Sequence, residues 1–128
     1  MRTGFVGLGH LGRAIAGRLI SQGVQLVVWN RTREKANGLG AEVADSPASL
    51  VAKVPVVFLN LTDGAAVRSV IRGKGGLVEG GCSDKVVIDT TTNHFEEVNE
   101  FHDALREAGG AYLESSVAGS TIPTSQGT

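Results

Sequence analysis

The sequence predicts an α/β fold in which about six parallel strands form a doubly wound sheet of order 3-2-1-4-5-6. Three observations predict it. Short β-rich apolar runs alternate with segments of helical period along the whole chain. The first apolar run passes directly into Gly7-Leu8-Gly9-His10-Leu11-Gly12 and then into an amphipathic segment. Residues suited to binding also gather after the strands, and ligands of such sheets lie beyond the strand carboxyl ends, where the first strand neighbours the fourth.

Taken in order, Phe5-Val6 marks the first strand and Arg13 to Leu19 the first helix. Gly23 fits that helix's C-cap, and Gln25 to Trp29 is β-rich. Thr32 to Leu39 reads as a short helix capped by Thr32 and ended by Gly38 and Gly40, and Glu42 to Ala44 as a brief strand. Ser46-Pro47 opens the next helix, with Pro47 at its first position. Pro55 to Leu61 is apolar except for Asn60, as a strand buried on both faces would be.

Asp63 caps a helix with Val67, Val70 and Ile71 on one face and Arg68 and Arg72 on the other. Gly73 to Gly81 is a glycine-rich loop with one turn around Leu77-Val78. Lys85 to Asp89 is the fifth strand. Asn93 to Ala108 is the longest helix, started by Thr92 or Asn93, with Phe95, Val98, Phe101 and Leu105 along one face, and Gly109-Gly110 stops it. Ala111 to Glu114 is the sixth strand, after which the residues become small and polar.

The glycine loop implies a dinucleotide held by its pyrophosphate. Gly7 permits the sharp turn, Gly9 clears a path for the phosphates, and Gly12 lets helix and strand approach. The helix N-terminus adds N–H donors and a favourable dipole. Asn30-Arg31-Thr32 ends the second strand, at the place where an acidic residue would bind the ribose hydroxyls of NAD. No carboxylate stands in that triplet. Arg31 offers a planar donor fork suited to a 2′-phosphate, and Asn30 and Thr32 add uncharged donors, which favours NADP(H) over NAD(H). Without the glycine loop, Arg31 would read as a solvated cation. Thr90-Thr91-Thr92-Asn93 can bind a ribose or a carboxylate, or cap the following helix, and both can hold together. The small residues from Ser115 to Ser120 can aim N–H groups at an anion or form a linker.

Composition excludes several classes. Net charge is −1 with 12 basic and 13 acidic residues, so no attraction to nucleic acid or anionic membrane is implied. The single cysteine, Cys82, excludes an internal disulfide, and no apolar run reaches membrane-spanning length, which reads as a cytoplasmic domain. No metal site is expected: His94 and His102 are not on adjacent turns, and His10 lies in the phosphate loop without an acid or base role. Cys82 has only Lys85 nearby to activate it, and the serines form no nucleophile elbow.

Four stretches together resemble the β-hydroxyacid dehydrogenases, which include 3-hydroxyisobutyrate and 6-phosphogluconate dehydrogenases. The look is nearest to the glyoxylate/succinic semialdehyde reductases. The stretches are Gly7 to Gly12, Val28-Trp29-Asn30-Arg31-Thr32, Asp89-Thr90-Thr91-Thr92, and Val117-Ala118-Gly119-Ser120 with Pro123 and Gly127. The resemblance covers essentially all of 1–128 and implies a Rossmann cofactor domain. It implies pyrophosphate on Gly9 to Gly12, within the Gly7, Leu8, Gly9, His10, Leu11, Gly12 loop, and the adenosine phosphate on Asn30, Arg31 and Thr32. Leu61, Thr62 and Thr92 then fall near the nicotinamide and its ribose, and a small-molecule carboxylate substrate near Thr92, Ala118, Gly119 and Ser120.

The family's Pro-Val-Ser-Gly reads Ser116-Val117-Ala118-Gly119 here, without the hydroxyl, and Thr91 replaces a serine. The family also has a second, all-α domain that supplies a general acid/base lysine and most of the interface of a homodimer or tetramer. Lys35, Lys53, Lys74 and Lys85 do not replace that lysine, so the chain reads as the cofactor domain of a longer oxidoreductase. The alternatives are an imine reductase's cofactor domain, which also tends to carry Trp-Asn-Arg-Thr, and a non-catalytic NADPH-binding module.

Overall fold

A computed structural model describes residues 2–115. The elements are β1 (Arg2–Val6), α1 (His10–Ser21), β2 (Gln25–Trp29), a 3-10 turn (Arg33–Ala36), β3 (Glu42–Val43), α2 (Pro47–Val51), β4 (Val56–Leu59), α3 (Gly64–Arg72), α4 (Leu77–Gly80), β5 (Val86–Asp89), α5 (Phe95–Glu107) and β6 (Ala111–Glu114). The six strands form one sheet in the order β3-β2-β1-β4-β5-β6, as the alternating pattern requires. Every pairing is parallel.

Alternation along the strands builds a core on each face. Phe5, Leu26 and Val28 join Ala16 and Leu19 of α1 on one side. Val6, Val27, Val57, Leu59 and Val87 face the other, where Leu50, Val67, Ile71, Leu77, Phe101 and Leu105 of α2 to α5 pack over them. Caps end the helices as the sequence implies. Ser46 and Ser49 form a capping box at α2, and Asp63 Oδ1 accepts the Ala66 N–H at 2.9 Å. Gly23 and Gly109 turn the chain with φ of +90° and +84° after α1 and α5.

Three local expectations are corrected. The segment 32–39 is a single 3-10 turn, not a helix over its whole length, and the Thr32 side chain makes no capping hydrogen bond. The Arg13 guanidinium takes the carbonyls of Lys35 and Asn37, acceptors that a continuing helix would need. The longest helix begins at Phe95 with His94 at its N-cap, rather than at Thr92 or Asn93. There Glu97 reaches back to accept the His94 N–H at 3.0 Å. Phe95 is consequently 77% exposed and does not join Phe101 and Leu105 in the core. β4 is fully buried on one face only: Val57 and Leu59 are enclosed, while Val56 and Phe58 are half-buried. Phe58 shelters against Phe5 across β1, with ring centroids 6.3 Å apart.

The aromatic positions give a stability contrast. Phe101→Ala removes a fully buried ring and is expected to cost about 3–5 kcal/mol. Phe95→Ala is expected to change stability by no more than about 0.5 kcal/mol. Urea unfolding of the two variants beside the parent chain checks both values.

Candidate functional site

A cleft of about 530 Å³ opens at the carboxyl ends of β1, β2, β4 and β5. This is the end of the sheet where the chain leaves β1 and β4 in opposite directions, and the volume is that of a small-molecule site. The glycine loop forms one wall, Asn30 and Arg31 a second, and Leu61, Thr62 and Thr90 to Thr92 a third.

The three loop glycines serve different ends. Gly7 has φ +104°, and a Cβ there would lie 2.0 Å from the Asn60 carbonyl oxygen. A Cβ on Gly12 would lie 2.0 Å from the Gly7 carbonyl oxygen, so α1 can seat against the end of β1 only with glycine at that position. A Cβ on Gly9 meets no protein atom within 4 Å. Gly9 is also the N-cap of α1 and supplies no side-chain cap, and the first turn holds no acidic residue. The first N–H groups of α1 lack intrahelical acceptors, as in any helix, and stand at the cleft with the positive end of the dipole. The open space at Gly9 and these donors together fit a phosphate-bearing group.

Asn30 ties two segments of the site together. Its Oδ1 accepts the Leu8 N–H at 2.8 Å, and its Nδ2 donates to the Thr32 carbonyl at 2.9 Å. The Leu8 N–H is thereby occupied, and the Leu8 side chain is buried beside Phe5 and Val28. Arg31 is exposed, lines the cleft, and makes no hydrogen bond or ion pair with the described residues. Thr32 is exposed and does not line the cleft. Arg13 carries no motif signal in the sequence, yet its bonds to Lys35 and Asn37 hold the chain that follows Arg31 and Thr32.

On the opposite wall, hydroxyls stitch β4 to β5. Thr90 Oγ1 donates to the Leu59 carbonyl at 2.6 Å and accepts from Asn60 Nδ2 at 2.9 Å. Thr91 is buried, and its Oγ1 accepts the Leu61 N–H at 2.9 Å. Thr92 is exposed at the cleft. Beneath them lies the fully buried Asp89, whose Oδ2 accepts the Tyr112 hydroxyl at 2.6 Å. Burial, and then the hydrogen bond to Asp89, push the Tyr112 phenol well above its ordinary range, so it remains a donor.

The cleft thus gathers Gly7, Gly9, His10, Leu11, Asn30, Arg31, Leu61, Thr62 and Thr92. Leu8 and Gly12 support it from behind, and Ala118, Gly119 and Ser120 lie outside the described residues. In the sequence Asn60 shows only as a break in an apolar strand. That break was the available signal, since a polar residue ending such a run at a carboxyl end faces the cleft. His10 is exposed at the start of α1, whereas His94 and His102 lie on the surface outside the cleft. Among the described residues no cluster of His, Cys, Asp and Glu could hold a metal, and none of the lysines lines the cleft. Burial pushes the Cys82 thiol up, outweighing the nearby Lys85, and its Sγ donates to the Leu77 carbonyl, so it is an inert core residue. No helix among the described residues is long and apolar enough to cross a membrane.

Residues 2–128 match the family profile described as the NAD binding domain of 6-phosphogluconate dehydrogenase. Glyoxylate/succinic semialdehyde reductase 1 of Arabidopsis thaliana is 37% identical over 130 residues, which is 99% of this chain and 45% of that protein. The cytokine-like nuclear factor N-PAC of Anopheles gambiae is 32% identical over 131 residues, or 100% of this chain and 23% of that one. A solved structure of Psf3 in complex with NADP+ and 2-OPP superposes with a TM-score of 0.85 at 32% identity, covering 91% of this chain and 43% of that one. The chain therefore spans less than half the length of each of these relatives.

The different duties of the glycines can be measured. Gly12→Ala is expected to destabilise the chain by about 1–3 kcal/mol, because backbone must shift to admit the methyl. Gly9→Ala, at an extended backbone with open space beside it, is expected to stay within about 0.5 kcal/mol of the parent. Thermal and urea unfolding of the two alanine variants would read this difference directly.

Proposed function

The chain belongs to the family of NAD-binding domains of 6-phosphogluconate dehydrogenase, and from that premise we propose that its cleft takes NADP(H) in preference to NAD(H). In this reading it is the cofactor domain of an oxidoreductase that moves a hydride between nicotinamide and a small hydroxyacid or aldehyde acid. The observation that carries the NADP(H) preference is Arg31. It stands at the carboxyl end of β2 with no partner among the described residues, and no carboxylate adjoins it in the 30–32 triplet. A guanidinium so placed can form charge-assisted, bidentate bonds to a 2′-phosphate, which a carboxylate at the same place would repel. The NADP+ in the Psf3 structure supports the same choice.

The nicotinamide, when bound, supplies or accepts the hydride; the chain's part is to bind and orient it. The N–H groups opening α1, from His10 onward, hold the pyrophosphate, since the Leu8 N–H is already bonded to Asn30. Asn30 acts mainly by setting the loop and the Arg31-Thr32 backbone. Leu61, Thr62 and Thr92 receive the nicotinamide ribose and ring, and Thr92 with Ala118, Gly119 and Ser120 receives the substrate carboxylate. The proton-transfer lysine and the homodimer or tetramer interface belong to an all-helical part outside this chain. The name of the Arabidopsis relative supports glyoxylate or succinic semialdehyde as the substrate class.

A second reading, a non-catalytic NADPH-binding module, is favoured by one observation. The Anopheles relative carries a nuclear factor's name at 32% identity over the same residues. Full-length gene product assayed with NADPH on glyoxylate, succinic semialdehyde and cyclic imines separates the readings. Turnover of the aldehyde acids supports the first, turnover of imines an imine reductase, and tight NADPH binding without turnover the module.

Titrating the chain with NADPH and NADH tests the cofactor directly. NADPH is expected to bind at least about tenfold more tightly, from the charged hydrogen bonds to the 2′-phosphate. Arg31→Ala should abolish that difference and leave NADH binding unchanged, whereas Gly9→Ala should weaken both nucleotides alike. Equal binding of the two by the parent chain, or none, sinks the assignment.

A further inference from the structure

Asp89 is fully buried at the end of β5, and no cation pairs with it among the described residues. A buried carboxylate without a counter-ion persists only when donors satisfy it. Three do: the Thr91 N–H bonds Oδ1 at 2.9 Å, while Asn93 Nδ2 and the Tyr112 hydroxyl bond Oδ2 at 2.8 and 2.6 Å. Capping α5 is not the reason for this arrangement, because the His94 N–H at its start is taken by Glu97. What Asp89 grips is the residue on either side of Thr92, the threonine that is exposed at the cleft. Tyr112, from the edge strand β6, fixes the carboxylate in turn, and its ring is locked edge-on against Phe101 and His102.

The same network reaches the other side of the cleft. Thr91 receives the Leu61 N–H on its hydroxyl, so the Leu61-Thr62 backbone and Thr92 are both referred to one buried anion. None of these bonds involves the wall built from Asn30, Arg31 and Arg13, whose hydrogen bonds run only to the glycine loop and to the segment 32–37.

We propose that Asp89 and Tyr112 are positioning residues for the nicotinamide half of the cofactor, acting through Thr91, Asn93 and Leu61 and leaving the adenosine half untouched. The inference rests on the cofactor reading above. Its consequence is a split that a purely structural role would not produce. Loosening the Asp89 anchor weakens the grip on the nicotinamide end and leaves adenosine 2′,5′-bisphosphate, which lacks that end, bound as before.

The test is calorimetric titration of the chain and its Tyr112→Phe and Asp89→Asn variants with NADPH and with adenosine 2′,5′-bisphosphate. Tyr112→Phe keeps the packed ring and removes only the hydroxyl, so it decides the matter even if Asp89→Asn fails to fold. The expected result is a fall of about fivefold to tenfold in NADPH affinity, the scale of one ordinary net hydrogen bond, with bisphosphate affinity within about twofold of the parent. Two results overturn the inference while leaving the cofactor reading intact: parental affinity for both ligands in Tyr112→Phe, or an equal loss for both. A parent chain that binds NADPH no more tightly than the bisphosphate overturns it as well. A parent chain that binds neither ligand overturns the cofactor reading itself.

Discussion

The site depends on one close approach, that of Gly12 to the carbonyl of Gly7. The space between them admits hydrogen and nothing larger, since a Cβ on Gly12 would lie 2.0 Å from that oxygen. Because α1 seats there, its first N–H groups come to the end of β1, the strand at which the sheet changes direction. Gly7 meets the Asn60 carbonyl with equal tightness, so the loop is pressed against the end of β4 as well. A helix displaced by one side chain would carry its dipole and donors away from the cleft. The two glycines therefore serve the fold, and only through it the ligand, while Gly9 alone borders empty space.

Around that contact, polar side chains divide into those that build the walls and those that face the cleft. Asn30, Asn60, Thr90 and Thr91 direct their hydrogen bonds into the protein, tying the ends of β1, β2, β4 and β5 to one another. Each would otherwise leave a donor or acceptor unmatched where the sheet frays into loops. Arg31 and Thr92 are held by such neighbours and remain exposed at the cleft. Fixed walls and outward groups together make a preorganised site, since the ordering cost is met when the domain folds and not when ligand arrives.

The fold was legible because each of its signals is local and periodic. Gln25–Trp29 and Ala111–Glu114 are strands at the bounds their β-rich composition implies, and Asp63 and Ser46 cap the helices they precede. Expectation and structure differ where a contact invisible in the local pattern decides the outcome. The segment after Thr32 has helical residues, but Arg13, about twenty residues earlier, captures its carbonyls. Phe95 has the right spacing to join Phe101, yet α5 begins at Phe95 itself and leaves it beyond the end of the core. β4 reads as enclosed on both faces because apolar residues alone do not say how far α1 extends over the sheet.

The site itself was legible by position and not by role. Thr90, Thr91 and Thr92 are chemically identical, and no composition or period separates them. Their environments differ because the chain bends at Thr91, whose N–H is held by the Asp89 carboxylate two residues earlier. Thr91 therefore falls inward to meet the Leu61 N–H and Thr92 outward to the cleft, while Thr90 reaches sideways to β4. Asp89 is visible in its stretch but its role is not, because nothing local shows that a carboxylate ending an apolar strand is buried until its donors are known. Those donors come from Thr91, from Asn93 and from Tyr112 on the neighbouring edge strand. Of these only the first two are near it in the chain, so the third depends on β6 lying beside β5 in parallel register, with Val87 opposite Tyr112. The buried anion and the topology are thus each a condition of the other, and the shape of the cleft's threonine wall follows from both.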